Sequence, residues 1–141
     1  MAQNTSPIFP LTPEIQWARI ASGNIAYDGT GTVSTIFSAS ASGSRVDFLK
    51  IRSLGTNNTA SLMRVFINNG ATSSVATNNS LYFEYPLPTT VTSSTAEAGS
   101  DNIIPLNIAL PTAYRLIASL TTALTGTSGV GWQVTAVGGD Y

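Results

Sequence analysis

The sequence predicts an all-β fold, an antiparallel β-sandwich of about eight strands arranged as a jelly roll, with an extended N-terminal arm. Three observations carry that expectation. Charged residues make up only 9% of the 141-residue chain, against roughly a quarter in ordinary globular domains. Surface polarity comes instead from 17 Ser, 19 Thr and 10 Asn, types that suit strands, turns and loops better than helix interiors. Short runs of alternating apolar and polar residues then recur between Gly, Asn, Asp and Pro punctuation, as in sandwiches and barrels. The length suits one domain with one core. The expected division is an arm over residues 1–13 and a single sandwich over residues 14–141.

The arm is read from Pro7, Pro10 and Pro13 set among Ile8, Phe9 and Leu11. Proline denies the stretch both helix and central strand, leaving an extended segment whose apolar side chains need a surface. The next stretch, "TPEIQWARIASG", holds two signals. Thr12, Pro13 and Gly23 form a helix start and stop, whereas Ile15, Trp17 and Arg19 alternate with Gln16, Ala18 and Ile20. The β-like surroundings favour the strand. After the turn residues of "YDGTG", "TVSTIFSAS" is a β-branched strand with Val33, Thr35 and Phe37 expected on one face. "VDFLKIRSL" places Asp47, Leu49, Ile51 and Ser53 on one side and Phe48, Lys50, Arg52 and Leu54 on the other. "GTNNTAS" reads as a turn and "LMRVFIN" as the following strand, with Met63, Val65 and Ile67 opposed to Leu62, Arg64 and Phe66. These two are expected to be antiparallel neighbours. "LYFEYPL" follows the "NNG" turn, the stretch from Pro86 to Asn102 reads as a long loop, and "IIPLNIALP", "AYRLIASL" and "GWQVTAV" complete the set. The last two are expected to be joined by the loop "TTALTGTSGV".

Most site chemistry is excluded by composition. The chain has no Cys and no His, so it lacks a thiolate, a zinc-finger spacing and the commonest general base. Lys50 is the single lysine, and no spacing brings two of the seven carboxylates together; no enzymatic activity, metal or cofactor is expected. "DGTGT" and "GTSGVG" lack the lysine and following helix of a phosphate loop and read as hairpin turns. The formal net charge of −1 supplies no field to recruit nucleic acid. No apolar run is long enough to span a bilayer and "MAQNTSPIFP" lacks the regions of an export signal, so no membrane partner is expected. Trp17, Tyr82, Tyr85, Tyr114, Trp132 and Tyr141 offer either a stacking platform for sugar or nucleic-acid bases, or core and interface residues.

Charge is unevenly spent. Arg45 to Gly70 holds four of the six basic residues, Arg45, Lys50, Arg52 and Arg64, with Asp47 its sole acid. Lys50, Arg52 and Arg64 are expected to share one outward sheet face, while Leu49, Ile51, Met63, Val65 and Ile67 supply core. Such a face either meets acidic groups of a partner or is a solvated face whose charges discourage edge pairing. The expected partner-binding set is Lys50, Arg52 and Arg64 with Ile8, Phe9 and Leu11 of the arm.

The framework "TPEIQWARI", "AYDGTGT", "SGSRVDFLKIRSLGTN", "RVFINNG", "LPTAYRLIASL" and "GWQVTAVGGDY" resembles small β-sandwich virion proteins encoded by tailed bacteriophages and prophages, over about Pro13 to Tyr141. The resemblance implies a structural role on the capsid surface, as a decoration or cement protein on the head lattice, and supplies no catalytic residues. Its partners would be the major capsid protein or another virion protein, with a homo-oligomer such as a trimer suited to lattice symmetry. The chain would be made in the bacterial host cytoplasm. A carbohydrate- or receptor-binding module of a tail fibre or spike is the alternative.

Overall fold

The computed structural model describes residues 9–57, 59–99 and 101–141, with backbone only at 127 and 128. Eight strands follow in order: β1 (Thr12–Ile20), β2 (Ser34–Ser38), β3 (Ser44–Asn57), β4 (Ser61–Asn68), β5 (Asn79–Leu87), β6 (Asn102–Leu110), β7 (Arg115–Leu120) and β8 (Gly126–Asp140). They form two four-stranded sheets, β1-β8-β3-β6 and β2-β7-β4-β5, with every strand pair antiparallel. This is the eight-stranded jelly-roll sandwich that the sequence predicts. Only β4 and β5 are consecutive strands paired in one sheet; every other connection crosses between sheets.

That crossing overturns one expectation. β3 lies between β8 and β6 in the first sheet, and β4 between β7 and β5 in the second, so they are not neighbours. "GTNNTAS" does not make a hairpin: β3 runs on into it as far as Asn57, pairing Thr56 with Thr127 and Asn57 with Gly126, and the chain then passes to the other sheet, where β4 starts at Ser61. The Asn57 side chain is buried and stands in for a ladder partner, donating to the Gly131 carbonyl and accepting from the Gly131 N–H, both at 3.1 Å. A short polar residue here satisfies two backbone groups that would otherwise be orphaned. "GTSGV", expected within a loop, forms the start of β8.

Alternation prevails over the helix signature in β1 because nine register pairs with β8 supply its backbone partners. Pro13, which cannot donate to a ladder, is tolerated near the start of an edge strand. Gln16 ties this edge to the opposite sheet, donating to the Ser38 carbonyl at 3.0 Å and accepting from the Ser38 N–H at 2.9 Å.

Two bulges change which residues face inward. At Thr35/Phe37 the extra residue is Ile36, so Ile36 and Phe37 are both buried, and the expected common face of Val33, Thr35 and Phe37 is corrected. At Val46/Phe48 the extra residue relative to β8 is Asp47. Val46 turns into the core and Asp47 sits beside Arg45 at 2.7 Å, which corrects Asp47's expected place among Leu49 and Ile51. Gly138 opposes this bulge, and a Cβ there would lie 1.9 Å from the Arg45 carbonyl oxygen; only glycine admits so close a strand.

Between the sheets lie Ile36, Phe37, Val46, Leu49, Ile51, Met63, Val65, Leu116, Leu120, Trp132, Val134 and Ala136, all buried. Ile67 packs against the same cluster. The expected core residues of β3 and β4 therefore do meet, but from opposite sheets.

Candidate functional site

Among the described residues no pocket opens and no three metal-ligating side chains converge. Asp28, the acidic residue of "DGTGT", accepts from the Thr30 N–H at 3.0 Å and hydroxyl at 2.6 Å. This is an Asx turn. The Thr30 hydroxyl and then its N–H hold the Asp28 carboxyl below its ordinary range. What the fold does present is a sheet surface.

The outward residues of the first sheet fall into rows fixed by register, three of them across all four strands and a fourth across β1, β8 and β3. Pro13, Gly139, Arg45 and Ala109 form one row; Ile15, Val137, Phe48 and Pro105 the next. Trp17, Thr135, Lys50 and Ile103 form the third, and Arg19, Gln133 and Arg52 the fourth. Ile15, Trp17 and Ile103 are 55%, 64% and 61% exposed. A single large apolar residue on a surface is ordinary, but several on one face signal contact. The face is thus apolar through its middle and cationic at the fourth row.

The cations are held in defined places. Lys50 Nζ lies 2.9 Å from one Asp101 oxygen, and Arg52 Nη1 lies 3.3 Å from the other. The Lys50 hydrogen bond holds the Asp101 carboxyl below its usual value, against a smaller opposing effect of burial, and the charges of Arg52 and Lys50 add to the lowering. Arg19 donates through Nε to the Val130 carbonyl at 3.0 Å, and its Nη2 reaches the same oxygen. Arg45 pairs with Asp47.

Arg64 does not join this face, which corrects the expected trio. It lies in the other sheet and its side chain is 3% exposed. Its Nε donates to Glu84 at 2.8 Å, its Nη1 reaches the Ile25 and Ala26 carbonyls at 3.1 and 3.3 Å, and its guanidinium carbon sits 3.5 Å from the Tyr27 ring centroid. Desolvated against an aromatic face and paired with a carboxylate, it anchors the segment 21–33 over the outer side of the second sheet. That segment is fixed further by Asn24, whose N–H donates to the Leu120 carbonyl at 2.6 Å, and by Asn79, whose side chain donates to the Asp28 carbonyl at 3.1 Å.

The place of Arg64 on the cationic face is taken by Arg19. Sequence spacing alone hides this, since 26 residues separate Arg19 from Arg45 by subtraction of their numbers. The signal was the jelly-roll order itself: it sets the first and third strands on either side of the last, so the β1 series Pro13, Ile15, Trp17, Arg19 shares a face with Lys50 and Arg52.

Of the arm residues, Phe9 and Leu11 are largely exposed; Ile8 lies outside the described residues. The Leu11 N–H donates to the Asp140 carbonyl at 2.7 Å. Pro10 covers Gly139, where an added Cβ would come 2.7 Å from the proline Cβ. The arm thus enters the body at the first row of the exposed face. The aromatic residues do not converge: Trp132 is in the core, Trp17 stands on the first sheet, and Tyr82 lies on β5 of the second.

No family model and no curated protein sequence matches the chain. Among solved structures it overlays on a chain of the cyanophage Pam1 capsid asymmetric unit with 12% identity and a TM-score of 0.45, over 99% of this chain and 94% of that one. It overlays also on infectious bursal disease virus of the Gx strain, with 17% identity and a TM-score of 0.30, over 98% of this chain and 36% of that one. For the Gt strain the figures are 16% and 0.32, over 93% and 30%. The chain spans about a third of the length of those bursal disease virus chains. Likenesses this distant carry no inference about what the chain binds or builds.

Proposed function

We propose that the chain is a structural protein of a tailed-phage virion, acting as a decoration or cement protein on the head lattice. The observation that carries this reading is the open outer face of the first sheet. Among the described residues, that face presents a broad surface with exposed Ile15, Trp17 and Ile103 beside Lys50 and Arg52. The sequence resemblance to small phage virion proteins points the same way. Lys50 and Arg52 are the contact residues of this reading, with Phe9 and Leu11, and with Ile8 beyond the described residues. Arg64 is withdrawn from the set because it is buried. Association as a homo-oligomer, a trimer at a threefold lattice position, belongs to the same proposal.

Of the two tryptophans of the sugar-binding alternative, Trp132 is buried and Trp17 is exposed, so glycan binding lost on Trp17 substitution is the result that would favour that reading. Gradient-purified particles from a lysate of the host that carries the gene test the proposal directly. Mass spectrometry is expected to find the chain in those particles at a fixed ratio to the major capsid protein. A chain that stays in the soluble fraction would falsify the virion role. Deletion of Met1 to Leu11 is expected to reduce particle binding with little change in the unfolding midpoint.

A further inference from the structure

The outer face of the first sheet carries four cations, Arg19, Arg45, Lys50 and Arg52, against two carboxylates, Asp47 and Asp101. That is 4 − 2 = +2 on this face. The whole chain has six basic and seven acidic side chains, −1 in all, and every one of them lies among the described residues. The remainder of the molecule is therefore −1 − 2 = −3. Apposing this face to the same face of a second copy would set +2 against +2, a like-charge contact that association disfavours. A surface of opposite sign suits it.

Lys50 and Arg52 each engage a different oxygen of one carboxylate. An ammonium has three donors and a guanidinium five, so one shared carboxylate leaves room for a further acceptor at each. Asp101 is 31% exposed at its side chain, at the end of the face next to Ile103. Beside the cations stand Trp17 and Ile103 in the same row as Lys50. An exposed tryptophan next to arginines is the composition of an interface centre.

We propose that this face docks a lattice-protein surface that brings carboxylates to Arg19, Lys50 and Arg52 and apolar side chains to Ile15, Trp17 and Ile103. Asp101 is the internal counter-ion: in the free chain it holds Lys50 and Arg52 where an incoming carboxylate replaces it. The proposal rests on the virion reading, which supplies the particle used as the probe.

The test uses particles grown without this gene and the full-length chain, with binding read by co-sedimentation and contacts by hydroxyl-radical footprinting. Trp17→Ser and the Arg19→Glu, Arg52→Glu double variant are each expected to weaken binding at least about tenfold, with circular dichroism and unfolding midpoint close to those of the parent. Asp101→Asn is expected to strengthen binding, by about threefold, and raised salt to weaken parent binding more than that of the double variant. Tyr82→Ser, on the other sheet, is the control and binds as the parent does. On the particle, Trp17 and Ile103 become protected while Tyr82 and Ile25 keep their free reactivity. A chain that binds with Trp17 and Ile103 still fully reactive overturns the docking face and leaves the virion reading standing. So does an Asp101→Asn variant that weakens binding as much as the double variant. Protection of Trp17 in the chain alone at high concentration assigns the face to a second copy and overturns the partner named here. A parent chain that never sediments with particles overturns the virion reading, and this inference with it.

Discussion

The two sheets treat similar outward residues in opposite ways. On the second sheet Phe66 and Arg64 point away from the central core, yet both are buried, Arg64 beneath the segment 21–33 with its donors met by Glu84, Ile25 and Ala26. On the first sheet Trp17 and Arg52 hold equivalent outward positions and stay exposed. Among the described residues, the molecule covers one face with its own chain and leaves the other bare. An arginine in this fold is therefore defined less by its strand pattern than by whether a loop crosses over it. The covered face contributes stability and the bare one is free to contribute binding.

Substitutions can break that division, and the largest effect is expected at Phe66. Phe66→Ala removes a ring with no exposed surface, and a loss of about 3–4 kcal/mol is expected from urea unfolding. A loss below ~1 kcal/mol would mean the second sheet's outer side is not a true core. Next comes Arg64→Ala, which strips the anchor from segment 21–33 and leaves two carbonyls and Glu84 without it. A loss of about 2–3 kcal/mol is expected, together with faster amide exchange across residues 21–33 than elsewhere. Uniform exchange would show that the segment is held without Arg64. Trp17→Ala, on the bare face, is expected to change stability by less than ~0.5 kcal/mol despite the size of the side chain. A larger loss would place Trp17 in the fold's own packing and weaken the contrast.

The smallest effect concerns pH. The pKa of the Asp101 carboxyl is lowered by the Lys50 hydrogen bond, so near its ordinary value of 3.8 the folded chain binds fewer protons than the unfolded one. Its stabilising contribution is full above that value and is lost as pH falls through the lower folded one. Parent and Asp101→Asn unfolding midpoints should therefore differ at neutral pH and converge in acid. Carbon-detected titration is expected to place the Asp101 carboxyl below 3.8. Curves that stay parallel down to acid pH would mean the pair with Lys50 does not persist in solution.

Much of the fold was legible because strand alternation is local. Leu49, Ile51, Met63, Val65 and Ile67 were correctly turned inward from period alone, and Ile15, Trp17 and Arg19 correctly read as strand. Errors arose where one extra residue shifts the pleat. Neither Ile36 nor Asp47 carries a mark in the sequence; each bulge is imposed by the register of a neighbouring strand. The larger miss was Arg64. Its strand pattern gave the outward direction correctly, but its sheet depended on a crossover, and its burial on Tyr27 and Ile25, some forty residues upstream by their numbers. Neither fact is encoded near "LMRVFIN". Arg19 was hidden for the same reason, since it reaches Arg52 only through Gln133 of the last strand.

The position of β8 has a consequence for how the chain is made. It is the central partner of both β1 and β3, joining Thr12 to Asp140 and Ser44 to Asp140. Until this final strand leaves the ribosome, β1 has no neighbour in its sheet and the inner residues of β3 have no Trp132, Val134 or Ala136 to meet. Local hairpins cannot substitute, because only β4 and β5 pair consecutively. Non-local pairing of this kind slows folding and prolongs the exposure of apolar strands. The sandwich must close late and nearly all at once, and a message truncated before β8 would yield an aggregating chain and not a smaller domain.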